Sequence, residues 1–248
     1  MRSGKGVVIV VPTYEEAANL PILLDQLLPA LPEARLWIVD DASGDGTPEQ
    51  LKQHPLFGER LFLLERSGKS GLASALCDGF RIALAEKAQI IVQMDADLSH
   101  DPTDVVRLIQ AAADGADLAI GSRYCVGGGI RHWSPWRRLL SRAAAAYVRG
   151  WTGMNLSDPT AGFRAFRAPA LARALESPTG CDGYGFQVEM AHTVWKQGGV
   201  IREVPVVFTE RREGQSKLSS SIVYEAILRV PLLRWRRHAA TVQPPRER

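Results

Sequence analysis

Two carboxylates stand two residues apart in the stretch QIIVQMDADLSHDP, at Asp95 and Asp97, directly after an apolar block. Acids this close repel each other and raise each other's pKa unless a cation lies between them. A hard divalent ion with oxygen ligands, Mg2+ or Mn2+, is the physical reason to tolerate the pair. The everyday alternative is a helix start, for which Ser99 or Asp101 followed by Pro102 is well suited. It accounts for Asp101 and Pro102 but leaves Asp95 and Asp97 without a purpose. At the end of an extended strand, side chains two apart face the same way. The expectation is therefore a metal held by Asp95 and Asp97.

Other chemistry-bearing residues sit in similar places. Arg123, in DLAIGSRY, is a guanidinium at a strand end, suited to bidentate phosphate binding. In VDDASGDGT, Asp45 and Gly46 read as turn residues, whereas Asp40 and Asp41 are placed to accept from a nucleotide base or ribose. RSGKSG (66–71) lacks the Walker spacing, because Leu63 stands where the first glycine belongs, and reads as a turn into a helix. No GxGxxG follows the first strand, which disfavours a dinucleotide dehydrogenase. TERREGQSK (209–217) carries Arg211, Arg212 and Lys217 on a segment that is either a solvated charge run or, given Gly214, a mobile lid. His100, His132 and His192, taken singly, read as core or surface residues. No Ser/His/Asp or Cys/His set emerges.

These side chains need a frame. GVVIVVPTY (6–14), RLWIVDDASGDGT (35–47), RLFLLER (60–66), QIIVQMDAD and DLAIGSRY (117–124) contain short apolar runs of the kind found in strands covered on both faces. NLPILLDQLLPAL, SGLASALCDGFRIALAEK (70–87) and PTDVVRLIQAAADG carry apolar residues at helical spacing, and Leu72, Leu76, Phe80 and Ala83 share one face. The alternation predicts an α/β fold with a doubly wound, mainly parallel sheet. Such sheets bind ligands outside the carboxyl ends of their strands, where Tyr14, Asp40, Asp41, Asp95, Asp97 and Arg123 all fall. After residue 125 the rhythm changes. GGGIRHW reads as a flexible loop and WSPWRRLLSRAAAAYVRGW as a basic, aromatic helix. AGFRAFR and VIREVPVVFTERREGQSK suggest strands flanking the helix GFQVEMAHTVWKQGG. Residues 219–236 read as a last amphipathic helix, interrupted by Pro231.

The 248 residues carry 30 Lys plus Arg against 27 Asp plus Glu, a net charge of +3, which is too small an excess for a nucleic-acid footprint. Its distribution is more telling. Trp133, Trp136 and Trp151 alternate with Arg131, Arg137, Arg138 and Arg142, the pattern of an interfacial helix with Trp at headgroup level; core packing is the competing reading. Cys77, Cys125 and Cys181 form no CxxC pair, which fits a reducing compartment better than zinc or disulfides. MRSGKG does not read as a signal peptide, and no run reaches the roughly 18 apolar residues of a membrane span. The expectation is a cytoplasmic protein, peripheral to the cytoplasmic face of a membrane.

PTYEE, VDDASGDGT, DADLSH, GSRY, DPTAGFR, GYGFQVEM and FTERREGQSK, in this order from about Val7 to Lys217, resemble the family 2 glycosyltransferases of GT-A fold. Within them the chain is similar to the dolichol- or polyprenol-phosphate mannose synthases. The resemblance implies a catalytic domain over 1–218, followed by a C-terminal amphipathic helix and basic tail over 219–248. It implies inverting transfer of mannose from GDP-mannose to a polyprenyl (dolichyl) phosphate. Pro12, Tyr14, Glu16, Val39 and Asp41 would hold the donor's nucleoside. Asp95, Ala96 and Asp97 would bind Mg2+ or Mn2+ with the donor diphosphate. Arg123, Arg211 and Lys217 would contact phosphate, and Arg137 and Ser141 the acceptor's phosphate. A membrane-anchoring partner protein is a further expectation. Glu15 replaces a frequent Asn, with little effect expected, and Ser99 stands where some relatives carry Gln. UDP-glucose as donor, hydrolysis of a sugar nucleotide, and a catalytically silent nucleotide-sugar-binding subunit stay open as alternatives.

Overall fold

The computed structural model describes residues 3–176, 183–210 and 228–233. Among the described residues the strands are β1 (Val7–Thr13), β2 (Arg35–Asp40), β3 (Leu61–Glu65), β4 (Ile90–Gln93), β5 (Leu118–Ser122), β6 (Gly129–Arg131), β7 (Arg164–Arg167), β8 (Ile201–Pro205) and β9 (Val207–Thr209). The helices are α1 (Leu20–Ala30), α2 (Thr47–Lys52), α3 (Leu72–Ala85), α4 (Val105–Ala113), α5 (Pro135–Thr152), α6 (Ala168–Leu175) and α7 (Gly183–Lys196). Seven strands form one sheet in the order β3-β2-β1-β4-β7-β5-β8. It is parallel except for β7, which runs antiparallel between β4 and β5.

The continuous apolar run of β1 has a direct cause. Val7, Ile9 and Val11 join the core with α1 and α4, while Val8 and Val10 join the core on the other face with α3, α6 and α7. Each such side chain contributes about 1.5–3 kcal/mol by leaving water. Helix α3 lies close against β1 because residue 79 is glycine: a Cβ there would stand 2.3 Å from Val10 Cγ1. This is the doubly wound sheet that the alternation predicts.

Several local expectations change. GGGIRHW is not a loose loop, since Gly129–Arg131 is β6 and pairs in parallel with β9. Three residues show no periodicity, and the partner lies far along the chain, so nothing local announces this strand. Gly128 crosses the end of β5 so closely that a Cβ would sit 2.5 Å from the Ser122 carbonyl oxygen. The short helices α2 and α6, each with proline in its first turn, were not anticipated. Of the expected last helix only 228–233 is described, and it is helical. The rest of 219–236 and the boundary at 218 lie outside the described residues.

Candidate active site at the carboxyl ends of the strands

Strands β1 and β4 are neighbours, while the chain leaves β1 toward β2 on the other side. This reversal opens the crevice in which α/β sheets bind ligands. The loops after β1, β2 and β4 meet it, and each turns through a non-glycine residue in the left-handed region: Glu15 (φ 56°), Ala42 (φ 61°) and Leu98 (φ 58°). That conformation costs about 1–2 kcal/mol for an L residue, and such strain gathers at functional sites.

The first two loops are laced together. The Thr13 hydroxyl donates to Asp40 Oδ1 (2.8 Å), Glu15 N to Ser43 Oγ (2.8 Å) and Ala17 N to Asp45 Oδ2 (2.9 Å). Asp40 also accepts from Ser43 N and Oγ and has no exposed surface. It is a turn-holding group, which corrects the expectation that it faces a nucleotide. Asp41, 5 % exposed, accepts from Arg66 Nη1 (2.6 Å), Ser70 N (3.0 Å) and Gly71 N (2.9 Å). It thereby gathers the RSGKSG turn, whose Lys69 ammonium lies 3.5 Å above the Tyr14 ring. Glu16 accepts from Asn19 Nδ2 (2.8 Å) at the start of α1. Pro12 lies beside Val39 in the β1–β2 register, and Val39 and Ala96 are buried core side chains.

Strand β4 stops at Gln93 and the chain bends from residue 96 onward. Asp95 and Asp97 thus sit on a loop, and strand alternation does not govern where they point. The half-buried Asp95 carboxylate packs against Gly162, where a Cβ would lie 3.4 Å from its Oδ2. Asp97 is buried and accepts from the Ser99 amide (3.0 Å) and the Ser99 hydroxyl. Below them Gln93 is fully buried with neither amide atom hydrogen-bonded. Among the described residues no three His, Cys, Asp or Glu side chains cluster as a metal cage. Two carboxylates with hard oxygen donors fit a divalent ion that takes its remaining ligands from phosphate and water.

Arg123 is held firmly. Its Nε and Nη2 each donate at 2.6 Å to Asp158, and its backbone N donates to the same carboxylate at 3.0 Å. The loop bearing Asp158 is fixed from both sides. Glu203 accepts from the amides of Ser157 and Asp158 (2.8 Å each). Arg164, fully buried, donates to the carbonyls of Pro159, Ala161 and Gln187. Burial lowers the Arg164 pKa to about 9, opposed by the Asp158 charge, so it remains a cation at neutral pH.

An aromatic cluster joins this pair to α5. His100 packs against Phe163 and Phe208, with ring centroids 5.0 Å apart in both cases. Burial, then the Arg123 charge, push the His100 pKa down to about 4; the ring is neutral at pH 7. Phe208 meets Trp133, and Trp133 receives two guanidinium groups, Arg137 at 4.1 Å and Arg123 at 5.5 Å from its ring centroid. Arg137 Nη1 also pairs with Glu210 (2.7 Å). Thr209 N donates to the Ser99 carbonyl (2.9 Å), which joins the end of β9 to the acidic loop. Ser141 is half-buried one turn beyond Arg137 on α5.

The structure thus brings Pro12, Tyr14, Glu16, Val39 and Asp41 to the ends of β1 and β2, and Asp95, Ala96 and Asp97 to the loop beside them. Arg123 and Arg137 meet at Trp133. Arg211, Lys217 and all but the first two residues of the 209–217 lid lie outside the described residues. Sequence reasoning gave no role to Asp158, Arg164, Glu203 or Lys69. The first two stand in DPTAGFR, where an acid and an arginine flank a glycine, and that was the only signal available.

Fold and site together define a doubly wound α/β protein with an acidic crevice at the carboxyl ends of its strands. The chain belongs to glycosyl transferase family 2, whose model matches residues 8–174. It is 40% identical over 232 residues to a polyprenol monophosphomannose synthase of Mycolicibacterium smegmatis, covering 93% of this chain and 87% of that one. It is 41% identical over 229 residues to an undecaprenyl-phosphate mannosyltransferase of Micrococcus luteus, covering 92% and 93%. The fold matches that of Mycobacterium tuberculosis glucosyl-3-phosphoglycerate synthase, solved with Mn2+, UDP-glucose and phosphoglyceric acid (TM-score 0.66, 19% identity, 93% and 80% covered). It also matches a Pyrobaculum calidifontis mannosyltransferase solved with GDP-Man and Mn2+ (TM-score 0.58, 22% identity, 92% and 69% covered). The architecture is the GT-A one that the motifs imply.

Proposed function

We propose that the protein transfers mannose from GDP-mannose to a polyprenyl phosphate, inverting the anomeric carbon to give polyprenyl phosphate β-mannose. The observation that carries this reading is that the loop bearing Asp95 and Asp97 is joined through His100 and Phe208 to Trp133, on whose ring Arg123 and Arg137 both rest. This supports a diphosphate-binding acidic loop beside basic groups for the acceptor phosphate. The likeness to a polyprenol monophosphomannose synthase over nearly the whole length of both chains supports it. A phosphate monoester is largely dianionic at neutral pH, so the acceptor is already a nucleophile. No general base is needed, in keeping with the neutral, apolar setting of His100.

The chain's own task is alignment and charge placement. Pro12, Tyr14, Glu16, Val39 and Asp41 receive the nucleoside at the ends of β1 and β2, and Lys69 lies over Tyr14. Asp95 and Asp97 would hold Mg2+ or Mn2+, which supplies neutralisation of the negative charge on the departing diphosphate. Ser99 orients Asp97, and Arg211 and Lys217, outside the described residues, are the donor-phosphate contacts that the family resemblance implies. Arg137 and Ser141 grip the acceptor phosphate, with Glu210 giving way to it, and the Asp158 pair fixes Arg123 beside them. The exposed face of α5 brings the protein to the cytoplasmic face of the membrane that holds the acceptor.

The test is transfer of label from GDP-mannose, with UDP-glucose in parallel, to a polyprenyl phosphate in detergent, with Mn2+, with Mg2+, with EDTA, and for Asp97→Ala. Metal-dependent, GDP-mannose-selective lipid product is expected. Selectivity for UDP-glucose overturns the donor. Absence of lipid product from either donor, beside an active control synthase, overturns the reading in favour of a silent binding subunit.

A further inference from the structure

Helix α5 buries little of itself. Ala145, Val148 and Thr152 face the core, while Trp136 is 72%, Leu139 58% and Leu140 59% exposed. At about 100° per residue, Trp136, Leu139, Leu140 and Ala143 make one outward apolar stripe. Arg142 and Arg149 lie on a flank between that stripe and the buried face. Along this flank runs a cleft of about 400 Å³, walled by Tyr124, Arg142, Arg149, Asn155 and Ser157 over a floor of Ala145 and Leu156.

The cleft's chemistry is one-sided. Among the described residues Arg142 makes no ion pair, and its guanidinium rests 5.5 Å from the Tyr124 ring centroid. Among the described residues the Arg149 guanidinium is bonded only to the Leu156 carbonyl, at 3.4 Å. The Tyr124 hydroxyl is buried without a hydrogen-bond partner. Among the described residues no carboxylate lines the walls, and the acids of the adjoining segments are committed elsewhere: Asp158 to Arg123, Glu203 to the Ser157 and Asp158 amides. Two guanidinium groups with amide and hydroxyl donors, and no anion to satisfy them, match the oxygens of a phosphate. The adjoining apolar stripe places that phosphate at the depth of a bilayer headgroup, with Trp136 at the interface.

We infer that this cleft holds the headgroup phosphate of an anionic membrane phospholipid, and so seats α5 on the bilayer beside the active site. The site is separate from Arg137 and Ser141 and does not depend on which sugar is transferred. The test is cosedimentation of the full chain with phosphatidylcholine vesicles, with and without phosphatidylglycerol, for wild type, Arg142→Gln, the Arg142→Gln/Arg149→Gln pair and the corresponding Lys pair, each checked by thermal melting. Wild type is expected to prefer phosphatidylglycerol. Removing two arginines at a bilayer surface weakens binding about 30-fold, with the single Arg142 variant in between and the Lys pair also weakened by loss of its bidentate contacts. The single variant keeps the test decisive if the pair does not fold, because among the described residues Arg142 has no ion pair or hydrogen bond to lose, only its contact with the Tyr124 ring. Gln variants that bind like wild type overturn the inference. A Lys pair that binds like wild type reduces the effect to diffuse charge and overturns it as well. Displacement from vesicles by millimolar inorganic phosphate assigns the cleft to a free anion instead. Loss of affinity for short-chain polyprenyl phosphate in detergent, with vesicle binding intact, assigns it to the acceptor.

Discussion

Arg123 and Asp158 meet through two 2.6 Å hydrogen bonds, with the carboxylate fully buried and the guanidinium 7% exposed. A buried pair of this kind is weak evidence for stability, because desolvation offsets the attraction. It is a strong placement device, since each partner is costly to leave alone. Here it fixes the residue after β5 to the loop that also carries Gly162, against which Asp95 rests.

Breaking the pair from one side should show this. Asp158→Asn removes the buried carboxylate that Arg123 is paired with and is expected to lower stability by about 3–5 kcal/mol, read from the urea midpoint. The double change Arg123→Met/Asp158→Leu should lose less than the single one. A single variant within about 1 kcal/mol of wild type would show that the pair behaves as a surface bridge.

Acid should destabilise the fold through His100. Its folded pKa of about 4 lies below the unfolded value near 6.5. Between these values the unfolded chain binds more protons, so stability is complete above about pH 6.5 and is lost as pH falls toward 4. The loss approaches about 3 kcal/mol. His100→Phe keeps a ring between Phe163 and Phe208 and removes the proton site. Its stability curve over this window should be flatter than that of wild type by this amount, and superimposable curves would exclude His100 as the cause.

Glu15 turns the first loop at φ 56°, where Asn is more at ease than Glu. Glu15→Asn is therefore expected to raise stability by about 0.5–1 kcal/mol, since the Glu15 amide bond to Ser43 is kept. A lower melting temperature would mean that the Glu15 side chain makes a contribution of its own.

Ser99 donates to Asp97 through both its amide and its hydroxyl. Ser99→Ala should cost about 1–3 kcal/mol of stability, since a buried carboxylate loses a donor, while raising the metal concentration needed for half-maximal transfer by about 10–100-fold. Unaltered metal dependence would remove the orienting role.

Gly79 lets α3 lie against β1. Gly79→Ala puts a methyl group 2.3 Å from Val10 Cγ1 and is expected to cost about 1–3 kcal/mol through overpacking, measurable by chemical denaturation. The substitution lies on the covered face of the sheet, so metal affinity should not follow the loss.

What the sequence by itself determined was the frame and the neighbourhood. Apolar runs such as VVIVV and QIIV, separated by helical periods, specify a sheet buried on both faces, because strand and helix periods are local properties of the chain. Acids and an arginine following those runs must then arrive at one edge of the sheet. What each group does on arrival was decided by tertiary structure. Asp40 and Asp41 are adjacent and alike, yet Asp40 is spent on Thr13 and Ser43, while Asp41 reaches across to Arg66 and the 66–71 turn. Arg123 finds Asp158, and Arg123 and Arg137 share the Trp133 ring. Residues 129–131 become a strand only because Val207–Thr209 lies alongside. A side chain's partner depends on which distant segments the topology brings together, and neither period nor spacing encodes that.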